Sequence, residues 1–379
     1  MDENPETADG FLLKEKNTLV ISLKENMFTE KENIFLKDND FIVSFFCYQS
    51  GVHAVRIKNI RGEMTVLPFL GQQIWRAEFD NRPLQMKSMF KYPVYGKTYL
   101  KNYGAYLIHC GLTGMGNPGS GDTHELHGEL PSAYYNHVYL FYKSNPVPAI
   151  GIGGTFHYRE AFSCNYLFSP VLWLRNDSSI IEMEAVIENR RKSDFEYMYL
   201  THINFNYIGN SRLFYSAPCK PDDIVIRDFV PSGKTLKPEY ILLKEKIKNN
   251  PSLHHHILPD DPYDPEILLS LKYVPDEEGS AHSLLIHPDG YAFYVNHRPD
   301  EYTHAVRWIT NTCDEKAIGL VLPCTAEPEG YKASKAKGTL EKLEPGEMRK
   351  YHCNFGILNP KEAEPVKELI QFTMDKEYT

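Results

Sequence analysis

SIIEMEAVIENR (179–190) sets the side-chain rhythm of the chain. Ile181, Met183, Ala185 and Ile187 fall on one side, and Glu182, Glu184, Val186 and Glu188 fall on the other. A period of two belongs to an extended strand, whose successive Cβ atoms point to opposite faces. One face is dry and the other mostly wet, the pattern of an antiparallel sheet packed on a core by one side.

Outward from this stretch the same signal recurs. NTLVISLKE (17–25), DFIVSFFCYQ (40–49), HAVRIKNIRG (53–62), NHVYLFYK (136–143), FEYMYLTHINFNY (195–207), HSLLIHPDGYAFYVNH (282–297) and EKAIGLVLPCT (315–325) are short and rich in Val, Ile, Tyr and Phe. Gly, Pro, Asn or Asp bound them, as turn residues bound strands. Helical patterns are few. KPEYILLKEKIKNN (237–250) and PKEAEPVKELIQFTMDKE (360–377) carry Pro where a first helical turn tolerates it. PEILLSL (265–271) is expected to add a short helix. No βαβ alternation occurs, so the fold expected is mainly β, a sandwich or barrel with a few short helices. Residues 1–379 are expected to form one domain, with 1–16 a mobile or loosely attached N-terminal segment.

Composition narrows the function. Of 379 residues, 13 % are aromatic, with 25 Tyr and 20 Phe. Flat apolar rings suit strands and also complement the C–H faces of a pyranose. The net charge of −9 argues against a nucleic-acid surface, which needs clustered Lys and Arg. No apolar run reaches the ~18 residues of a membrane span, and the acidic opening MDENPETADG is no secretory signal. The seven scattered cysteines form no CxxC and are expected to be reduced, mostly buried thiols in a cytoplasmic protein. The Gly-dense loop GLTGMGNPGSGD (111–122) lacks the lysine of a phosphate-binding loop.

Three stretches could carry chemistry. GDTHELHGELPSAYYNH (121–137) gathers His124, Glu125, His127 and Glu129, and both a divalent cation and a simple pocket role for His127 fit those residue types. In MYLTHINFNYIG (198–209), Leu200, His202, Asn204 and Asn206 share a face. His202 is there either a satisfied core histidine or an imidazole in a polar network. In IGLVLPCTAEPEGY (318–331) an apolar strand runs out to Glu327, where partial burial can tune a carboxylate, with Glu329 and Glu301 as rivals. Arg76, Arg298 in NHRPDEY (296–302) and Asp300 could grip hydroxyls, or make surface ion pairs of small worth. His254–His256 are expected in a solvated loop.

The ordered set GAYLIHCGLTGMGNP (104–118), LHGELPSA (126–133), YLTHINFNY (199–207), AEPEGY (326–331) and LEPGEMRKYHCNFGIL (343–358) resembles the aldose 1-epimerase-related branch of the galactose mutarotase superfamily. The resemblance spans roughly residues 60 to 358. It implies a β-supersandwich with an open sugar cleft and no cofactor or metal in the chemistry. It implies that His127 helps hold the sugar near its ring, that His202 is the general acid and that Glu327 is the general base. The chain departs from the pattern at Glu129, where the family has arginine, and at Asn206, where it has glycine. Arg76 in GQQIWR (71–76) is a loose counterpart of the substrate arginine, and Asp300 stands in for an unmatched aspartate.

Mutarotation opens a hemiacetal ring and recloses it on the other face. One acid and one base suffice, each contributing roughly 10²–10⁴-fold. With a small-molecule carbohydrate as partner, Asn204, Arg76, Arg298 and Asp300 would assist His127 in binding. Two other readings stay open: a sugar isomerase assisted by a metal at His124, His127 and Glu129, and a carbohydrate-binding or sensing protein without chemistry. The sugar, its phosphorylation and the oligomeric state, a homodimer included, are open.

Overall fold

The alternation at 179–190 becomes the strand Ile180–Asn189. Ile181, Met183, Ala185 and Ile187 are at most 2 % exposed. Each large aliphatic side chain so buried contributes about 1.5–3 kcal/mol. The exception is Val186 on the other face, which is buried as well. These facts come from a computed structural model that describes residues 18–96, 98–228 and 235–377. The segment 1–16, expected to be loosely attached, lies outside the described residues.

Ile180–Asn189 sits in the middle of a ten-stranded antiparallel sheet. On one side Cys164–Arg175, Ala149–Glu160 and His137–Lys143 lead out to Thr18–Leu23. On the other, Met348–Leu358, Ala292–His297, Ala281–Ile286 and Ser211–Tyr215 lead to His256–Ile257. The second sheet runs from Val225–Ile226 through Ile267–Leu271, His304–Asn311, Lys316–Cys324, Phe195–Ile203 and Leu107–Leu112 to Gln73–Phe79. It continues through Gly62–Leu67, His53–Lys58 and Ile42–Cys47 to Asn33–Lys37.

The two sheets meet through aromatic rings. Tyr199 of the second sheet lies 5.1 Å from Tyr351 of the first, and the Tyr197 and Tyr351 hydroxyls are 2.5 Å apart. Buried phenols need such partners, because an unpaired hydroxyl in an apolar core costs free energy. Both expected helices form, as Pro238–Asn249 and Pro360–Glu377. The latter covers the wet face of the first sheet, with Ala363 and Ile370 packed on Leu284, Ala292 and Leu358. A further helix, Tyr331–Lys337, follows Glu327 and ends on Gly338 in the left-handed conformation. Among the described residues no helix is long and apolar enough to cross a membrane. All seven cysteines are free; three are buried, three partly buried and Cys313 exposed.

Two expectations need correction. PEILLSL is the strand Ile267–Leu271, not a helix. Its Ile267, Leu269 and Leu271 alternate into the core while its backbone pairs with His304–Asn311. Long-range pairing overrides a short run whose local preference is weak. Of His254–His256, expected in a solvated loop, only His256 is exposed. Residues Pro251–His255 form a 3-10 turn in which His254 is fully buried beside Tyr215 and Arg307.

Several interior histidines are held neutral. Burial drives His109 and His297 down to about 3 and His287 down to about 4. The unfolded chain protonates these rings near pH 6.5, whereas the folded chain does not, so stability falls as pH drops below 6.5. The three together should remove about 4 kcal/mol between pH 7.5 and 5.5. Urea denaturation at the two pH values should show a markedly lower midpoint at 5.5; an unchanged midpoint would contradict the burial of neutral rings.

Candidate functional site

Five neighbouring strands of the second sheet build the floor of a cavity of about 410 Å³. His202 and Leu200 come from Phe195–Ile203, Leu322 from Lys316–Cys324, and Val306, Trp308 and Thr310 from His304–Asn311. Leu268 comes from Ile267–Leu271, and Arg227 follows Val225–Ile226. The period of two explains why 306, 308 and 310 share this face. Met89, Phe90, Tyr99, Leu100 and Tyr103 close one side, and the turns carrying Asn117, His127 and Pro328 close another.

His127 is placed by backbone geometry. Its φ is 61°, in the left-handed region that non-glycine residues adopt at a cost of about 1–2 kcal/mol. The turn is held by hydrogen bonds from Gly111 N to His127 O at 2.9 Å and from His127 N to Gly116 O at 3.1 Å. Gly128 must follow, since a Cβ there would lie 2.4 Å from the Gly111 carbonyl oxygen. Gly116 in turn packs so closely under Pro328 that a Cβ would lie 1.9 Å from its carbonyl oxygen. The Gly-dense loop is thus the joint that brings the His127 turn against the Glu327 turn.

Glu129 fixes this joint. Its carboxylate accepts the backbone N–H groups of Leu112 and Thr113 at 3.1 Å each, the Thr113 hydroxyl at 2.6 Å and the Tyr166 hydroxyl. Three of these donors converge on Oε1, and His127 is not among the partners. His124 makes its own contacts, with Glu125 O at 2.7 Å and Asp122 at 3.7 Å. His124 and Glu129 are thus engaged by different partners, and among the described residues His124, His127 and Glu129 do not gather their donor atoms at one point.

The two cavity imidazoles meet edge to face, with ring centroids 5.5 Å apart and planes at 85°. Tyr99 lies 4.7 Å from His127, and Trp308 lies 5.4 Å from His202. Among the described residues, the Nδ1 atoms of both histidines are buried without a protein partner. Burial lowers His202 to about 4, with Asn204 working weakly the other way. Burial also holds His127 well below the usual imidazole range, reinforced by His202 and Arg227. At neutral pH both rings are neutral, each with one N–H and one lone pair.

The other expected residues are placed as follows. Glu327 stands beside cavity-lining Pro328, but its carboxylate pairs with Lys337, which also binds Glu329 at 2.7 Å. Asn204 is buried and donates to Ala105 O at 3.0 Å, supporting the strand end below His202. Arg76 donates to Phe90 O and Lys91 O at 3.3 and 3.2 Å, behind the cavity wall rather than in it. Arg298 and Asp300 lie 3.5 Å apart in a separate groove with Glu301 and His352. The structure therefore brings His127 and His202 together, keeps the Glu327 carboxylate on Lys337 next to the lining residue Pro328, and leaves Arg298 and Asp300 elsewhere.

Sequence reasoning missed several cavity residues. Glu266 accepts the Trp308 indole N–H at 2.6 Å. Arg227, pushed down by burial, is supported by the charges of Glu266, Glu329 and Glu327. Trp308 lies on the strand His304–Asn311, which is buried on both faces and so offers no clean alternation to read. Glu266 was hidden by the helical reading of PEILLSL.

Comparison with known proteins adds fold-level evidence. A family model described as a domain of unknown function, DUF4432, matches residues 49–207. No curated protein matches the sequence. A candidate aldose 1-epimerase from Klebsiella pneumoniae shares 14 % identity over 96 % of this chain and 94 % of its own, with a TM-score of 0.76. A galactose mutarotase-like protein from Clostridium acetobutylicum shares 16 % identity over 85 % of this chain and all of its own, with a TM-score of 0.60. Another from Lactobacillus casei shares 12 % over 80 % and 100 %, with a TM-score of 0.52.

The Glu129 tie predicts a stability effect. Glu129→Ala should lose about 3 kcal/mol, as hydrogen bonds to a charged group are removed and buried N–H groups are orphaned. Chemical denaturation measures this, and a loss below about 0.5 kcal/mol, the level of an ordinary surface change, would contradict it. Its two facing sheets and its likeness to these structures give the chain the galactose mutarotase-like fold.

Proposed function

We propose that the chain interconverts the anomers of an aldose, as an aldose 1-epimerase-type isomerase, in the cavity between His127, His202 and Trp308. The observation that carries this reading is the pair of buried imidazoles, 5.5 Å apart, inside aromatic walls. Tyr99, Tyr103 and Trp308 offer flat faces to the C–H side of a pyranose. Polar groups are few and convergent, as in small-molecule sites.

Ring opening takes one proton from the anomeric hydroxyl and gives one to the ring oxygen. In this reading Glu327 accepts the first and His202 supplies the second, while His127 holds a hydroxyl. Reclosure on the other carbonyl face reverses both transfers and restores the pair. Glu327 exchanges its contact with Lys337 for the sugar hydroxyl as the ligand enters. His202→Asn and Glu327→Gln should each lower the interconversion rate by roughly 10²–10⁴-fold, read by NMR exchange between anomer signals. Rates within three-fold of wild type in both variants would contradict the assignment.

The acid role also fixes a pH profile. With His202 at about 4, the protonated fraction of the free chain grows tenfold for each unit that pH falls. The enzymatic kcat/KM, which reports groups of the free enzyme, should rise about tenfold per unit from pH 8 to 6. A flat profile over that range would contradict His202 as the acid.

A second reading is a sugar-binding protein without chemistry. The ion pair between Glu327 and Lys337 favours it, because that pair occupies the base. Saturable sugar binding with no change in anomer exchange would select it.

A further inference from the structure

We infer that Cys219, His254 and His255 form a binding site for a soft, thiophilic d10 cation of the zinc or copper(I) kind. The site lies behind the cavity wall. Val306 and Trp308 face the cavity, and strand alternation turns Arg307 between them to the opposite side, where it meets His254.

The donor atoms are already gathered. One donor atom from each of Cys219, His254 and His255 lies within 4.8 Å of the others, and the sulfur is 3.2 Å from His255 Nε2. Zinc with bonds of about 2.0–2.3 Å sets its ligand atoms roughly 3.3–3.8 Å apart. A closure of about 1 Å therefore suffices. The Tyr215 hydroxyl, 2.8 Å from His255 Nε2 and 3.4 Å from His254 Nε2, stands at the fourth corner.

The tautomer of His254 is fixed. Its Nδ1 faces the Pro251 carbonyl oxygen, which can only accept, so Nδ1 carries the proton and Nε2 the lone pair. This N–H to carbonyl contact is the kind that orients metal-binding histidines.

Arg307 supplies the second argument. It is fully buried, and its partners are uncharged: Leu320 O at 2.9 Å, Tyr273 Oη at 3.2 Å, His254 Nε2 at 2.7 Å and the Tyr215 ring at 4.0 Å. A buried guanidinium calls for an anion, and of the ionisable groups here, the Cys219 thiol and the Tyr215 and Tyr273 phenols, the thiol is the most acidic by type and loses its proton when it binds a metal. Metal entry releases the thiol proton and displaces the Arg307 N–H from His254 Nε2. The guanidinium keeps its bonds to Leu320 and Tyr273. Sulfur and imidazole donors exclude hard cations such as calcium or magnesium, and the nearby guanidinium favours the lower charge of copper(I).

The full chain should be titrated with zinc, and separately with copper(I) under anaerobic reduction, against a chromophoric chelator. One ion per chain is expected for at least one metal, with affinity weakened more than tenfold in Cys219→Ser and in His255→Ala and unchanged in His352→Ala. In the wild type, the bound ion should also protect Cys219 from alkylation, read by peptide mass spectrometry. Substoichiometric binding of both metals, or Cys219 alkylated equally fast with and without metal, would overturn the proposal even if the variants fold poorly.

Discussion

The carboxylate of Glu129 is the tie on which the rest of the site depends. It receives two backbone amides from the end of the strand Leu107–Leu112, the Thr113 hydroxyl and a tyrosine from the opposite sheet. A charged acceptor with four donors in a partly dry setting is far stronger than an exposed ion pair. It holds the end of one strand against the turn that carries His127, and it does so across both sheets through Tyr166. The strained φ of His127 persists because this frame leaves the turn no alternative. Glu129 thus acts on the cavity through position and not through contact with a ligand.

The second constraint is dryness. Among the described residues no carboxylate pairs with His202 or His127, and burial keeps both neutral. Neutral rings suit an uncharged, hydroxyl-rich ligand, to which each offers one donor and one acceptor. The same dryness makes His202 a scarce acid at neutral pH. Charge enters the lining as Arg227 and Glu266, which face each other electrostatically, while Glu327 pairs with Lys337 beside it. A sugar entering between these groups would exchange ion-pair contacts for hydroxyl contacts, which couples binding to the state of Glu327.

Much of the fold was legible because a period of two is a local property. Ile181, Met183, Ala185 and Ile187 declare their face without reference to any partner strand. His202 was legible for the same reason, since an imidazole on a strand of Tyr, Ile and Phe interrupts the pattern. Glu266 and the burial of His254 were not, because each depends on pairing with residues far along the chain, Trp308 and Arg307. Glu129 was visible only as one acid among several. Its role depends on which amides the Gly-dense loop leaves unpaired, and no spacing rule encodes that. Arg298 and Asp300 show the converse, attractive residue types whose strands carry them to another groove.

In the proposed function a sugar binds and reacts in the cavity between His127, His202 and Trp308. A crystal structure of the chain with a reducing aldose is the decisive measurement. The pyranose is expected against Trp308, with its ring oxygen or anomeric oxygen within hydrogen-bond reach of His202, about 2.6–3.2 Å. A sugar seated instead in the groove of Arg298, Asp300 and His352, with the cavity filled by water alone, would contradict it.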